Sequence, residues 1–188
     1  MNIALFGGRF DPPHNSHLAI ARYVLSADIG IDEVWLLPAR THPWRSIIAS
    51  NRDRLAMLRV LENPRIKVKE IDIQRGEPTY TIDTIRELQK SFPHTFFWIC
   101  GIDQLPDLPR WKDFSQVQAL LTFLVVPREG YTKPIALPQN IILLPGTSPS
   151  TSLSSSEIRD KIKRGVSIKG LVPEKVEEYI REKELYKD

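Results

Sequence analysis

His14 and His17 stand three residues apart, just beyond a Gly7-Gly8 pair, in the stretch Gly7-Gly8-Arg9-Phe10-Asp11-Pro12-Pro13-His14-Asn15-Ser16-His17. Residues at that spacing share one side of a helix, so both imidazoles can face one ligand. An imidazole N–H can donate to an oxygen that gains charge as a phosphoryl group moves, without serving as a nucleophile. Glycine permits positive φ and close backbone approach to a bulky anion. The start of the following helix supplies N–H groups and the positive end of a dipole. This combination points to phosphoryl or nucleotidyl transfer. Asp11 and Pro12-Pro13 are read as shaping the turn, Asp11 by accepting from backbone amides. The spacing is neither the GxxxxGKS/T of a P-loop nor the GxGxxG of a dinucleotide fingerprint. Zinc binding by the pair lacks a third or fourth ligand, because His42 and His94 sit in no matching local pattern.

A second set of anion-binding groups lies far along the chain. Ser154 to Arg159 offers hydroxyls, helix-start amides and a guanidinium. The same residues also make a capping box, Ser154 with Glu157, so a plain helix cap with a surface arginine is the competing reading. Arg45, in a proline-rich segment, either reaches phosphate from a loop or faces solvent.

Alternating strand and helix patterns must position these groups. Strands are expected at 2–6, 33–37, 66–73, 95–100, 120–126 and 140–144, from apolar runs or alternation bounded by turn residues. Helices are expected after the first glycines through Ser26, after a Ser50/Asp53 cap through Leu55, Leu58 and Leu61, over 81–90 and over 111–119. Two more are expected after Ser154 and from Pro173. Such alternation implies an α/β fold: a Rossmann-like, doubly wound, mostly parallel sheet with helices on both faces. Ligands then gather beyond the carboxyl ends of the strands, where Gly7 and Gly8 fall. Segments near 38–50, 127–139 and 145–153 read as loops, and no internal repeat is present.

The whole chain, 188 residues with 41% apolar and 26% charged residues, is long enough for a full core. A single domain over 1–188 is expected, with the helical part from about 154–188 packed on it. The formal charge of +3 is spread among interleaved acids and bases. That disfavours a nucleic-acid polymer and leaves a small anionic substrate as the natural partner. Cys100 is the only cysteine, which rules out an intrachain disulfide and a Cys-based zinc cluster. The run Ala119 to Val126, broken by Thr122, is far short of the roughly 20 residues of a membrane span. With no leader segment read before the first strand, the expected setting is cytoplasmic and away from membranes. A homo-oligomer is left open.

The chain resembles the bacterial nicotinate-nucleotide adenylyltransferase family, within the nucleotidyltransferases that carry a GxFDPxHxGH-type motif. The resemblance spans nearly the full length. It rests on Gly8 to His17, Leu37-Pro38-Ala39-Arg40-Thr41-His42-Pro43-Trp44-Arg45, Thr79-Tyr80-Thr81-Ile82-Asp83-Thr84 and Gly101-Ile102-Asp103 through Leu108-Pro109-Arg110-Trp111. It also covers Ser154 to Arg159, and Leu171-Val172-Pro173 through Tyr179-Ile180 and Leu185-Tyr186. The reaction it implies joins ATP to nicotinate mononucleotide, giving deamido-NAD and pyrophosphate, by in-line attack of the mononucleotide phosphate on the α-phosphate. Mg²⁺ would accompany ATP, with no protein metal site implied. The resemblance assigns catalysis to His14, His17 and Arg159. It assigns ATP binding to those residues with Gly7, Gly8, Phe10, Ser155 and Ser156, and mononucleotide binding to Thr81, Asp103 and Trp111; by charge and place, Arg45 is a further candidate on the ATP side and Lys112 on the mononucleotide side. Asp103 would hold ribose hydroxyls and Trp111 would stack on the pyridine ring; their alternative roles are a turn cap and a cover for the core edge.

Four positions depart from the family pattern. Arg9 stands where Thr is frequent in nicotinate-specific enzymes, and arginine-bearing motifs like this one occur in nicotinamide-nucleotide relatives. Ser16 replaces a glycine, Trp44 falls where an imidazole is usual, and Lys112 follows Trp111 in place of an aromatic. An enzyme preferring nicotinamide mononucleotide, or accepting both, is therefore the nearest alternative. A nucleotide-binding regulatory module without turnover is the more distant one.

Overall fold

The computed structural model describes residues 1–41, 46–76, 80–128, 130–131, 140–146 and 153–187. The apolar N-terminal run forms β1 (Asn2–Gly8), followed by α1 (Asn15–Ser26), β2 (Glu33–Pro38), α2 (Asn51–Arg59), β3 (Ile66–Val68) and α3 (Ile71–Arg75). After α4 (Thr81–Ser91) and β4 (Thr95–Gly101), a 3-10 helix (Ile102–Arg110) leads into α5 (Phe114–Leu120). The chain continues through β5 (Thr122–Val126), β6 (Ile141–Leu143), α6 (Ser155–Lys163) and α7 (Glu174–Glu182).

Among the described residues, six strands form one parallel sheet in the order β3-β2-β1-β4-β5-β6. This is the doubly wound Rossmann-like arrangement expected from the sequence. The chain winds outward from β1 to β3, then returns to place β4 on the other side of β1. The crevice beyond the carboxyl ends of β1 and β4 is thus the topological switch point, where such sheets bind ligands.

Strand alternation divides the core into two layers. Ala4, Val34, Leu36, Ile99 and Leu124 face one side, where they meet Val24, Leu58, Ile158, Val176 and Ile180 from α1, α2, α6 and α7. Ile3, Leu5, Trp35, Trp98, Phe123 and Val125 face the other, where they meet Ile82, Ile85 and Leu88 of α4 and Val117 of α5. Burial of both faces explains why the strands read as continuous apolar runs. The C-terminal residues Val172, Val176, Ile180 and Tyr186 belong to the first of these clusters.

The sequence expectation is amended at four places. The alternation over 66–73 does not make one strand: β3 ends at Val68 and α3 follows. Asp72, expected on a wet face, is buried, bonds to Arg75 one helical turn on at 3.1 Å, and accepts from Thr84 Oγ1 at 2.5 Å. The segment 102–110 is a 3-10 helix, because Pro106 and Pro109 lack the N–H groups that an α-helix needs. The helix expected over 111–119 starts later, at Phe114, after Asp113 takes a left-handed φ of 52°. Pro173 is the N-cap of α7 and not within its first turn. Among the described residues, no helix is long and apolar enough to cross a membrane.

Candidate active site

The turn after β1 carries the two histidines to the switch point. Gly7 and Gly8 are still strand residues, in register with Leu37 and Pro38 of β2. The left-handed backbone expected of the glycines occurs instead at Phe10, with φ 49°. Phe10 packs edge-on to the His17 ring with centroids 4.8 Å apart, and Phe6 lies 5.8 Å from it on another side. His14 is the N-cap of α1 and stacks on His17 with centroids 3.7 Å apart. The expectation that both imidazoles share one side of the helix start is met.

Hydrogen bonding sets the tautomer of His17. The backbone N–H of His14 donates to Nδ1 of His17 at 3.1 Å. A neutral His17 therefore carries its proton on Nε2, as a donor. Burial pushes His17 well below its ordinary pKa, and the neighbouring His14 adds to that. Burial likewise lowers His14 to about 4, opposed in part by the charge of Glu157. At neutral pH both rings are uncharged donors. His14 Nδ1 is buried and has no hydrogen-bond partner among the described residues.

Helix α6 brings the second anion-binding set against the same turn. Ser154 accepts from Glu157 N, and the Glu157 carboxylate accepts from Ser154 N at 2.7 Å and from its hydroxyl at 2.9 Å, closing the capping box. That pairing holds the Glu157 carboxyl below its usual range. Ser155 Oγ donates to the Pro12 carbonyl at 2.9 Å, and Arg159 Nη1 donates to the Asp11 carbonyl at 2.6 Å. Arg159 Nη2 also reaches Ser156 Oγ at 3.2 Å. The capping box satisfies the helix start, and the Arg159 guanidinium of the same helix is held to the histidine turn. Ser155 serves as a clasp between α6 and that turn.

Asp11 does bind backbone amides, but those of a distant loop. Its carboxylate accepts from Ile48 N at 2.7 Å and Ala49 N at 3.1 Å, and it is fully buried. Buried Arg54 braces the same region, donating to the Arg9 carbonyl at 2.6 Å and the Ala39 carbonyl at 2.7 Å. Sequence reasoning missed Arg54. Its signal was a place on the apolar stripe of α2, in step with Met57, Leu58 and Leu61.

The residues expected on the mononucleotide side lie across the sheet. Gly7, grouped with the ATP site by resemblance, faces this side: a Cβ there would come within 2.7 Å of the Trp98 ring. Trp98 meets Trp111 edge-to-face at 5.8 Å. Trp111 closes the 3-10 helix and is half-buried. Asp103 sits in the first turn of that helix, and a Cβ on Gly101 would collide with its carboxylate. Its partner is Arg128 at 2.5 Å, from just beyond β5. Thr81 opens α4.

Two of the departing residues are tied to protein groups. Arg9 Nη1 donates to the Ser46 carbonyl at 3.0 Å. Lys112 Nζ pairs with Asp83 at 3.2 Å and lies 4.5 Å over the Tyr80 ring. Ser16 is buried within the first turn of α1. His42, Trp44, Arg45 and Thr79 lie outside the described residues.

A model of cytidylyltransferase-like proteins matches residues 5–161. A protein of Geobacillus kaustophilus named "Probable nicotinate-nucleotide adenylyltransferase" is 39% identical over 189 residues, covering 98% of this chain and 85% of that protein. A protein of the same name from Halalkalibacterium halodurans is 40% identical over 195 residues, covering 98% and 91%. The chain belongs to the nicotinate-nucleotide adenylyltransferase family. The family's fold recurs in the Plasmodium falciparum nicotinic acid mononucleotide adenylyltransferase complexed with NaAD. That structure has a TM-score of 0.83 at 22% identity, covering 98% of this chain and 97% of that one.

Proposed function

We propose that this family member transfers the adenylyl group of ATP to nicotinate mononucleotide, releasing pyrophosphate and forming deamido-NAD. The observation that carries the reading is the stacked, neutral His14–His17 pair on a turn whose Asp11 carbonyl also accepts from Arg159. In-line attack by a mononucleotide phosphate oxygen on the α-phosphorus forms one P–O bond and breaks the bond to pyrophosphate. Charge then grows on phosphate oxygens. Such a reaction calls for fixed N–H donors, and no covalent enzyme intermediate is needed.

His17 is suited to donate through Nε2–H because its other nitrogen is already satisfied. Arg159 supplies a guanidinium that is held to the Asp11 carbonyl and the Ser156 hydroxyl, so little ordering is left for the moment of reaction. On the opposite side, Trp111 offers a face for the pyridine ring and Asp103 an acceptor for ribose hydroxyls. Among the described residues no group of three or more His, Cys, Asp or Glu is placed to hold a metal. By the resemblance, Mg²⁺ would enter with the ATP substrate and offset phosphate charge. We place the reaction in the cytoplasm.

The test is pyrophosphate release with Mg-ATP and each pyridine mononucleotide. Turnover with nicotinate mononucleotide that exceeds turnover with the amide supports the proposal. A preference for the amide, or ATP binding with no turnover on either, overturns it.

A further inference from the structure

The end of the chain reaches its first turn. Beyond α7, Glu184 and Tyr186 take left-handed backbone conformations, with φ 51° and 64°. Such backbone is unfavourable for a residue with a side chain and persists only where surrounding contacts hold it. Tyr186 is 5% exposed and packs in the core layer beneath α1, α2 and α6. Its hydroxyl donates to Asp11 Oδ1 at 2.8 Å.

Asp11 is a junction for the phosphate side of the site. Its carboxylate takes the N–H groups of Ile48 and Ala49, so it anchors the segment that leads into α2. Its carbonyl takes the Arg159 guanidinium. Three residues later the same backbone presents His14. An exposed tyrosine could satisfy its hydroxyl with water; a buried one spent on this carboxylate constrains everything that the carboxylate holds.

We propose that Tyr186 is a positioning residue for the transfer reaction, acting through Asp11 to fix both the 46–49 loop and the turn that presents the histidines. This rests on the reaction assigned above. Tyr179 provides the comparison, since it too ties the C-terminal segment down, but through Asp53 of α2 at 2.9 Å and away from Asp11.

The experiment compares wild type, Tyr186→Phe and Tyr179→Phe by amide hydrogen exchange, ATP affinity and steady-state kinetics. In Tyr186→Phe, exchange at Ile48 and Ala49 should quicken about tenfold. Its kcat should fall about tenfold, and ATP binding should weaken, with KM for the mononucleotide unchanged. Tyr179→Phe should keep its kcat while losing comparable thermal stability. Replacing Tyr186 by 3-fluorotyrosine, which retains the donor, should restore exchange and kcat, separating a lost hydrogen bond from a misfolded tail. Unchanged Ile48 and Ala49 exchange, or equal kcat in the two phenylalanine variants, would overturn the proposal. If the wild-type protein turns over neither mononucleotide, the assigned reaction fails; exchange and ATP affinity then still decide whether Tyr186 orders the phosphate side.

Discussion

The backbone N–H of His14 donates to Nδ1 of His17, while the two rings stack 3.7 Å apart. One short helix start thus orients, neutralises and desolvates both imidazoles. Phe6 and Phe10 complete the apolar wall around His17. On the proposed reaction, a polyphosphate would meet N–H donors whose positions are fixed beforehand.

On the proposed mechanism, replacing His17 by alanine removes a donor to the reacting phosphates. Loss of such a donor should lower kcat by about 10²- to 10³-fold, with less effect on folding. Pyrophosphate release and thermal melting, measured on one preparation, check this. Near-normal turnover would remove the catalytic assignment.

Stability should fall as pH drops from about 7 towards 4. His14 titrates near its ordinary 6.5 when unfolded but at about 4 when folded, because burial resists its charged form. Within that window the unfolded chain binds a proton that the folded chain refuses, so the folded state loses ground; above 6.5 the effect vanishes. The loss is on the order of 3 kcal/mol for a shift of this size. Urea unfolding at several pH values should show a shallower decline for His14→Gln than for wild type. Parallel curves for the two proteins would contradict the assignment.

Gly7→Ala should damage the mononucleotide side. The added methyl would meet the Trp98 ring at 2.7 Å, and Trp98 supports Trp111. Overpacking of this kind costs about 1–3 kcal/mol. Melting and mononucleotide KM should both worsen, with ATP affinity less affected. A variant with wild-type stability would show that Trp98 moves aside freely.

Trp111→Ala should raise mononucleotide KM while leaving ATP affinity near wild type. Stacking of a base on an aromatic side chain contributes about 1–3 kcal/mol, so a rise of tenfold or more is expected. Initial rates at saturating ATP measure it. Unchanged mononucleotide kinetics would count against stacking.

Most of the fold was legible because both faces of the sheet are covered and most strands announce themselves as apolar runs. Ser50 and Ser154 marked two helix starts correctly, since side-chain capping is a local interaction. The 66–73 segment misled because period-two alternation cannot reveal that Asp72 turns inward to Arg75 and Thr84. At the site, the His14/His17 spacing predicted their shared face. Nothing local predicted that Asp11 would bind amides 37 and 38 residues away, or that Tyr186 would close on it from 175 residues away. Lys112 was grouped with the mononucleotide by type and place, yet its charge pairs with Asp83 across to α4. Such long-range pairings leave no spacing signature.

A crystal structure of the protein with a non-hydrolysable ATP analogue and Mg²⁺ bears most directly on the central claim. The stacked pair should remain in place with His17 Nε2 within about 2.7–3.2 Å of a phosphate oxygen, and Arg159 on the same phosphates. Phosphates bound elsewhere, with both imidazoles turned from them, would contradict it.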